Sequence, residues 1–179
     1  MTDNQAGIAL DSETLYQQQQ EIITPDGPTI IAVDLQTPAN IGSLYRLADA
    51  AAAEKIIFID NKPGAFKNNK TVIRTSRNTC QRITTDFWSH QQFHSDYQTL
   101  PSLIALELTS KAENLFSTSL PKACSFIVGS ERHGIPDNIL NKCQAAVKIP
   151  MFGRNGSMNV SHALAICLYE WHRQHTGIN

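Results

Sequence analysis

Five short apolar runs recur along the chain: TIIAVDL (29–35), KIIFID (55–60), SLIALEL (102–108), ACSFIVG (123–129) and AAVKIP (145–150). Each is too short for a helix, and none alternates cleanly between apolar and polar residues. Such runs belong to strands covered on both faces, the usual condition of parallel strands lying under helices. RITTDFW (82–88) reads as a further strand. Helical segments fall between them, at 41–53, in QQFHSDYQTL and PDNILNKC, and at 159–175. The alternation predicts an α/β fold, a mainly parallel sheet flanked by helices. Ligands of such sheets lie beyond the carboxyl ends of the strands, so the loops that follow strands are where chemistry is expected.

A chain of 179 residues has room for one domain with a real core. Residues 1–27 are polar, carry a glutamine run and end in PDGP. They read as an N-terminal extension with one short helix around 13–22, and 28–179 as the domain itself. No apolar stretch reaches the ~20 residues of a membrane helix. The first residues lack the basic start and apolar core of a secretion signal, so a cytoplasmic protein without membrane contact is expected. The four cysteines are scattered and form no CxxC pair, which predicts buried reduced thiols rather than a metal site or a disulfide framework. Net charge is −1, yet Lys62, Lys67, Lys70, Arg74, Arg77 and Arg82 fall in a segment without Asp or Glu. This basic stripe, a loop plus a short helix, is either a footprint for phosphates or a solvated surface.

Three loops hold more polar and small residues than a chain reversal needs. In PANIGSLYRLADAAAA, Asn40 is placed to cap a helix, and Gly42 lets something approach its first turn closely. Arg46 lies on the same side one turn further on, where it either serves a site or pairs with Asp49. In FIVGSERHGIPDNIL, Glu131 and His133 follow a buried strand that ends at Gly129. The spacing from Gly129 to Gly134 is like a phosphate loop, but Ile135-Pro136 stands where Lys-Ser/Thr belongs, which argues against a nucleotide-phosphate cradle. In IPMFGRNGSMNVSHALAICLYEWHRQ, Ser157 is placed to cap the last helix, with Asn159 and Ser161 adding polar groups to its first turn. Met158, Val160, Leu164, Ile166, Cys167 and Leu168 give that helix an apolar face.

Taken in order, N-x-G-x-x-x-R, G-x-E-x-x-G-I and I-P-M-x-G-x-x-x-S-M-N-V-S closely resemble the three motifs of the SpoU (TrmH-like) RNA 2′-O-ribose methyltransferases of the SPOUT class. The resemblance spans roughly Thr29 to His175. It implies a C-terminal deep trefoil knot, a homodimer with a shared active site, S-adenosylmethionine as methyl donor, and transfer or ribosomal RNA as substrate. No metal is expected. Arg46 matches the family's catalytic arginine, and Asn40 and Glu131 match polar positions that orient it and the substrate. Leu106, Gly129, Ile149, Ser157 and Met158 match cofactor-contacting positions, and Asn159 joins them at the base of the last helix. Lys67, Arg74 and Arg77 become candidates for gripping RNA phosphates.

Two other readings stay open on the sequence. One is a non-catalytic RNA-binding or assembly factor on the same scaffold. The other is a small-molecule enzyme with a different nucleotide cofactor, against which the missing phosphate-loop motifs count.

Overall fold

The computed structural model describes Ala9, Asp11 and residues 27–176. The short helix expected around 13–22 lies outside the described residues. Strands β1 (Thr29–Val33), β2 (Ile56–Ile59), β3 (Thr85–Trp88), β4 (Ser102–Leu106), β5 (Glu113–Asn114), β6 (Cys124–Val128) and β7 (Ala145–Lys148) form one 7-stranded sheet in the order β3-β2-β1-β6-β4-β7-β5. Every described pairing between these strands is parallel. Helices α1 (Pro38–Ala50), α2 (Lys70–Ser76), α3 (His90–Asp96), α4 (Asp137–Leu140) and α5 (Val160–His175) accompany it.

The unbroken apolar character of the central strands follows from their double burial. In β1, Ile30 and Ala32 face a core completed by Ile41, Leu44 and Tyr45 of α1 and by Leu164, Cys167 and Trp171 of α5. Ile31 and Val33 face the opposite core, which includes Phe93 of α3 and Ile139 of α4. Successive side chains of a strand point to opposite faces, so one run feeds both cores. All four cysteines are free thiols, with Cys124 and Cys167 fully buried. Burial pushes the Cys124 thiol up to about 12, so it stays protonated at neutral pH. No described helix is long and apolar enough to cross a membrane.

The loops depart from expectation at particular residues. Helix α1 begins at Pro38, with Thr37 as its cap and no side-chain capping bond. Proline fits a first helical position because its missing N–H would have no partner there. Asn40 therefore sits inside the first turn, buried, and is not the cap. The last helix is capped by Asn159, whose Oδ1 accepts from the Ser161 amide at 2.9 Å. Ser157, expected in that role, lies outside the helix. Gly42 permits a close approach as expected, and the approaching element is α2: a Cβ there would lie 2.7 Å from the Thr75 Cβ and 2.9 Å from the Val72 carbonyl oxygen. Strand β5 was not expected, being short, polar and exposed at the sheet edge.

The sheet reverses its winding between β1 and β6. β2 and β3 lie outward on one side, with β4, β7 and β5 beyond β6 on the other. The loops leaving the carboxyl ends of β4, β6 and β7 converge beside that reversal, where open α/β sheets bind ligands.

Candidate functional site

Those loops enclose a cavity of about 400 Å³. Leu106, Glu107 and Leu108 border it from the end of β4, Val128 to Glu131 and Gly134 from the end of β6, and Val147 to Ile149 with Met151 from β7. Gly156 to Val160 and Ala163 close it from the bend and first turn of α5. The expected cofactor-contacting residues Leu106, Gly129, Ile149, Ser157, Met158 and Asn159 all border this one space. Gly129 is forced by packing, since a Cβ there would collide with the Gly134 backbone. Ser130 and Gly134 exchange backbone hydrogen bonds at 3.1 and 3.0 Å, folding the loop that carries Glu131 into a tight reversal. Gly153 stands apart from this packing. A Cβ on it would meet nothing within 4 Å, and it does not border the cavity.

At one end of the cavity three polar side chains from distant parts of the sequence join. The Asn40 Nδ2 donates to Glu131 Oε1 at 2.6 Å, and the Asn40 Oδ1 accepts from Asn159 Nδ2 at 2.9 Å. Asn159 Oδ1 in turn accepts from the Ser161 amide and hydroxyl at 2.9 and 2.7 Å. An amide has one acceptor and one donor end, and Asn40 uses both in opposite directions, which fixes its orientation. Partial desolvation alone would raise the Glu131 pKa, but hydrogen bonds from its own amide, from Thr37 and Asn40, and from the Gln36 amide outweigh it. The group is held below the ordinary carboxylate range, ionised and acting as an acceptor.

Arg46 is exposed on α1 and does not border the cavity. It makes no ion pair with Asp49, whose carboxylate meets Arg82 at 3.5 Å instead. Its face of α1 is the one that Gly42 presses onto α2, so Arg46 lies on the same side of the molecule as the basic segment. Within that segment Arg74 and Arg77 are exposed, and the Lys67 ammonium stands 4.1 Å from the centre of the Phe87 ring. Glu107 escaped the sequence reading. The signal available was a carboxylate placed directly after the buried run SLIAL, at a strand's carboxyl end.

Among the described residues no cluster of His, Cys, Asp or Glu has the geometry of a metal site. The cavity is chemically distinctive: its walls are largely apolar, and its charged members are two carboxylates, Glu107 and Glu131, and one lysine, Lys148. Such a space suits a largely apolar ligand with a few polar groups. Phosphate binding calls for converging amides or cations, which these charges do not supply.

Residues 27–169 match the family model described as the SpoU rRNA methylase family. Among curated relatives, the chain is 30% identical over 152 residues to the 23S rRNA (guanosine(2553)-2′-O)-methyltransferase RlmP of Bacillus subtilis, covering 78% of this chain and 56% of that protein. It is 25% identical over 162 residues to a tRNA (guanosine(18)-2′-O)-methyltransferase of Thermus thermophilus, covering 90% and 79%. The chain spans 56% and 59% of the first two curated relatives it matches. A solved RNA 2′-O ribose methyltransferase superposes with a TM-score of 0.73 at 31% identity, over 84% of this chain and 57% of that one. An AdoMet-bound rRNA methyltransferase from Sinorhizobium meliloti, at 23% identity, shares the fold with a TM-score of 0.76 over 86% and 59%. The order of the motifs, the parallel sheet and the family match agree: the chain belongs to the SpoU rRNA methylase family.

Proposed function

We propose that this chain transfers the methyl group of S-adenosylmethionine to a ribose 2′-hydroxyl of transfer or ribosomal RNA. The observation that carries the reading is the charge and polarity of the cavity beside the Asn40–Glu131–Asn159 cluster. A nucleotide with phosphates would meet two carboxylates there. A nucleoside bearing a positive sulfonium and no phosphate meets favourable walls. Leu106, Ile149 and Met158 form an apolar slot for adenine, while Gly129, Ser157 and Asn159 present backbone and small polar groups to the remainder. The ribose-methylating activities of the named relatives support the same assignment.

Bound in this cavity, S-adenosylmethionine supplies an electrophilic methyl carbon on a sulfonium sulfur. The chain has to place a ribose hydroxyl in line with that carbon and ease the loss of its proton. Arg46 carries no acceptor, so it does not take the proton. Its assigned work is electrostatic, gripping a substrate phosphate and stabilising the forming alkoxide. Its exposed place outside the cavity suits a group that meets the RNA rather than the donor. Glu131, held ionised below the usual carboxylate range, anchors Asn40 as an acceptor. Asn40 and Glu131 together orient the substrate side of the site. Lys67 before α2, Arg74 on it and Arg77 just after it extend the cationic surface to hold RNA phosphates.

Further parts of the reading concern the chain as a whole. Residues 28–179 form the catalytic domain and 1–27 an extension to it. From β7 at the far side of β4, the chain returns through the bend so that α5 packs on α1, β4 and β6. That return supports the reading of a C-terminal trefoil knot. The enzyme works as a cytoplasmic homodimer.

The test is calorimetric titration with S-adenosylhomocysteine, followed by transfer of labelled methyl groups to bulk RNA. Binding together with label in ribose supports the proposal. Binding without transfer would favour a non-catalytic RNA-binding factor, and absence of binding would remove the donor assignment.

A further inference from the structure

Glu107 is the carboxylate of the cavity for which the reading above supplies no task. It leaves β4 directly and is half-buried. Its Oε2 accepts from the Ile135 amide at 3.0 Å, and its Oε1 accepts from the Leu108 amide at 2.9 Å. A carboxylate has about four acceptor positions. The two amides take one on each oxygen and leave one on each. Held at both oxygens, the group cannot rotate freely, and it presents a fixed pair of neighbouring acceptors.

The surroundings favour this geometry. Gly134 has a φ of +65°, and a Cβ on it would run into Glu107 Oε2, so the glycine lets the carboxylate close against the loop. Leu106 and Val147 stand next to Glu107 in the wall, the Glu107 amide donating to the Val147 carbonyl at 3.2 Å, and Ile149 and Met158 border the same space, a slot suited to a flat apolar base. Two fixed acceptors beside such a slot match a pair of hydroxyls on adjacent carbons.

We propose that Glu107 accepts hydrogen bonds from both the 2′- and 3′-hydroxyls of the donor's ribose and so sets specificity for a ribonucleoside donor. The inference rests on the assignment of this cavity to S-adenosylmethionine. A purely structural tether of the Ile135 amide needs only one oxygen, whereas diol recognition needs two. Glu107→Gln separates these roles, because it keeps one oxygen and replaces the other acceptor by a donor.

The experiment is calorimetric titration of the wild type and Glu107→Gln with S-adenosylhomocysteine, its 2′,3′-dideoxy form and 5′-methylthioadenosine. Removing the hydroxyls should weaken wild-type binding about tenfold or more, the usual scale for hydrogen bonds to a charged group. Glu107→Gln should bind S-adenosylhomocysteine weaker by a similar factor and be nearly indifferent to loss of the diol. An equal diol penalty in both proteins would overturn the proposal. So would a variant that loses only its preference for S-adenosylhomocysteine over 5′-methylthioadenosine, since that would place the donor's amino group on Glu107. Should Glu107→Gln unfold, Glu107→Asp keeps the charge but withdraws it: a smaller diol penalty supports the proposal, and an unchanged one rejects it. If the wild type binds none of the three ligands, the donor assignment itself fails, an outcome separate from the others.

Discussion

Asn40 and Glu131 lie 91 positions apart in the chain, and the Asn40 amide donates to a Glu131 carboxylate oxygen at 2.6 Å. Its other end accepts from Asn159, 119 positions away. One buried side chain thus ties the first turn of α1 to the loop after β6 and to the cap of α5. Asn40→Ala strands a polar group on each of the other two, which should cost about 1–3 kcal/mol of stability in denaturant unfolding. Methyl transfer should fall at least about tenfold, since a positioning error of this kind reaches the reacting groups. Asn40→Asp should be no milder, because it faces a carboxylate with another carboxylate.

Gly42 carries the contact between α1 and α2. With Thr75 Cβ only 2.7 Å from a would-be Cβ, Gly42→Ala must push the helices apart. Overpacking of this kind costs about 1–3 kcal/mol, which urea titration would register. Because α2 lies within the basic segment, RNA affinity should drop along with stability.

The last helix holds a carboxylate whose ionisation stabilises the fold. The Glu170 side chain is 5% exposed and meets Arg173 at 2.7 Å. Hydrogen bonding from Arg173 keeps its carboxyl below the ordinary range, against the desolvation that would raise it. A depressed native value contributes stability above the unfolded pKa of about 4.3, lost as pH falls through the lower native value. Thermal unfolding of wild type and Glu170→Gln should therefore show a gap that is constant near neutrality and closes below about pH 4.

Arg74 and Arg77 are exposed on and just after α2, whereas Lys67 is partly engaged with the Phe87 ring. Replacing both arginines by Gln should weaken RNA binding across sequences and reduce the slope of log affinity against log salt by about one per lost phosphate contact. Binding unchanged in low salt would return the segment to a solvated surface. Lys67→Gln should have a smaller effect than either arginine.

The central strands were legible because each is buried on both faces, leaving an apolar run in the sequence. β5 was not, since Glu113 and Asn114 are exposed at the sheet edge and carry no such mark. Leu106, Gly129, Ile149, Ser157, Met158 and Asn159 were named through the family resemblance, and they border one cavity at the strands' carboxyl ends. Their individual duties were less legible. Asn40 looked like a cap because the helix start was set at Ile41, when Pro38 already signals an earlier one. Ser157 and Asn159 are both good capping residues, and only the path of the backbone decides between them. Glu107 had no motif to draw attention to it; its interest comes from two amide contacts that form after folding. The order in which β6, β4 and β7 sit beside β1 is likewise set by packing that a single run of residues does not record.

The most direct measurement is transfer from methyl-labelled S-adenosylmethionine to bulk transfer and ribosomal RNA, with digestion to nucleosides, for wild type, Arg46→Ala and Arg46→Lys. The account predicts label in 2′-O-methylribose, lowered about a hundredfold or more by Arg46→Ala. The lysine variant should be nearly as poor, because a point charge does not replace the planar guanidinium fork. Label on a base, or near-normal turnover by Arg46→Ala, would contradict it.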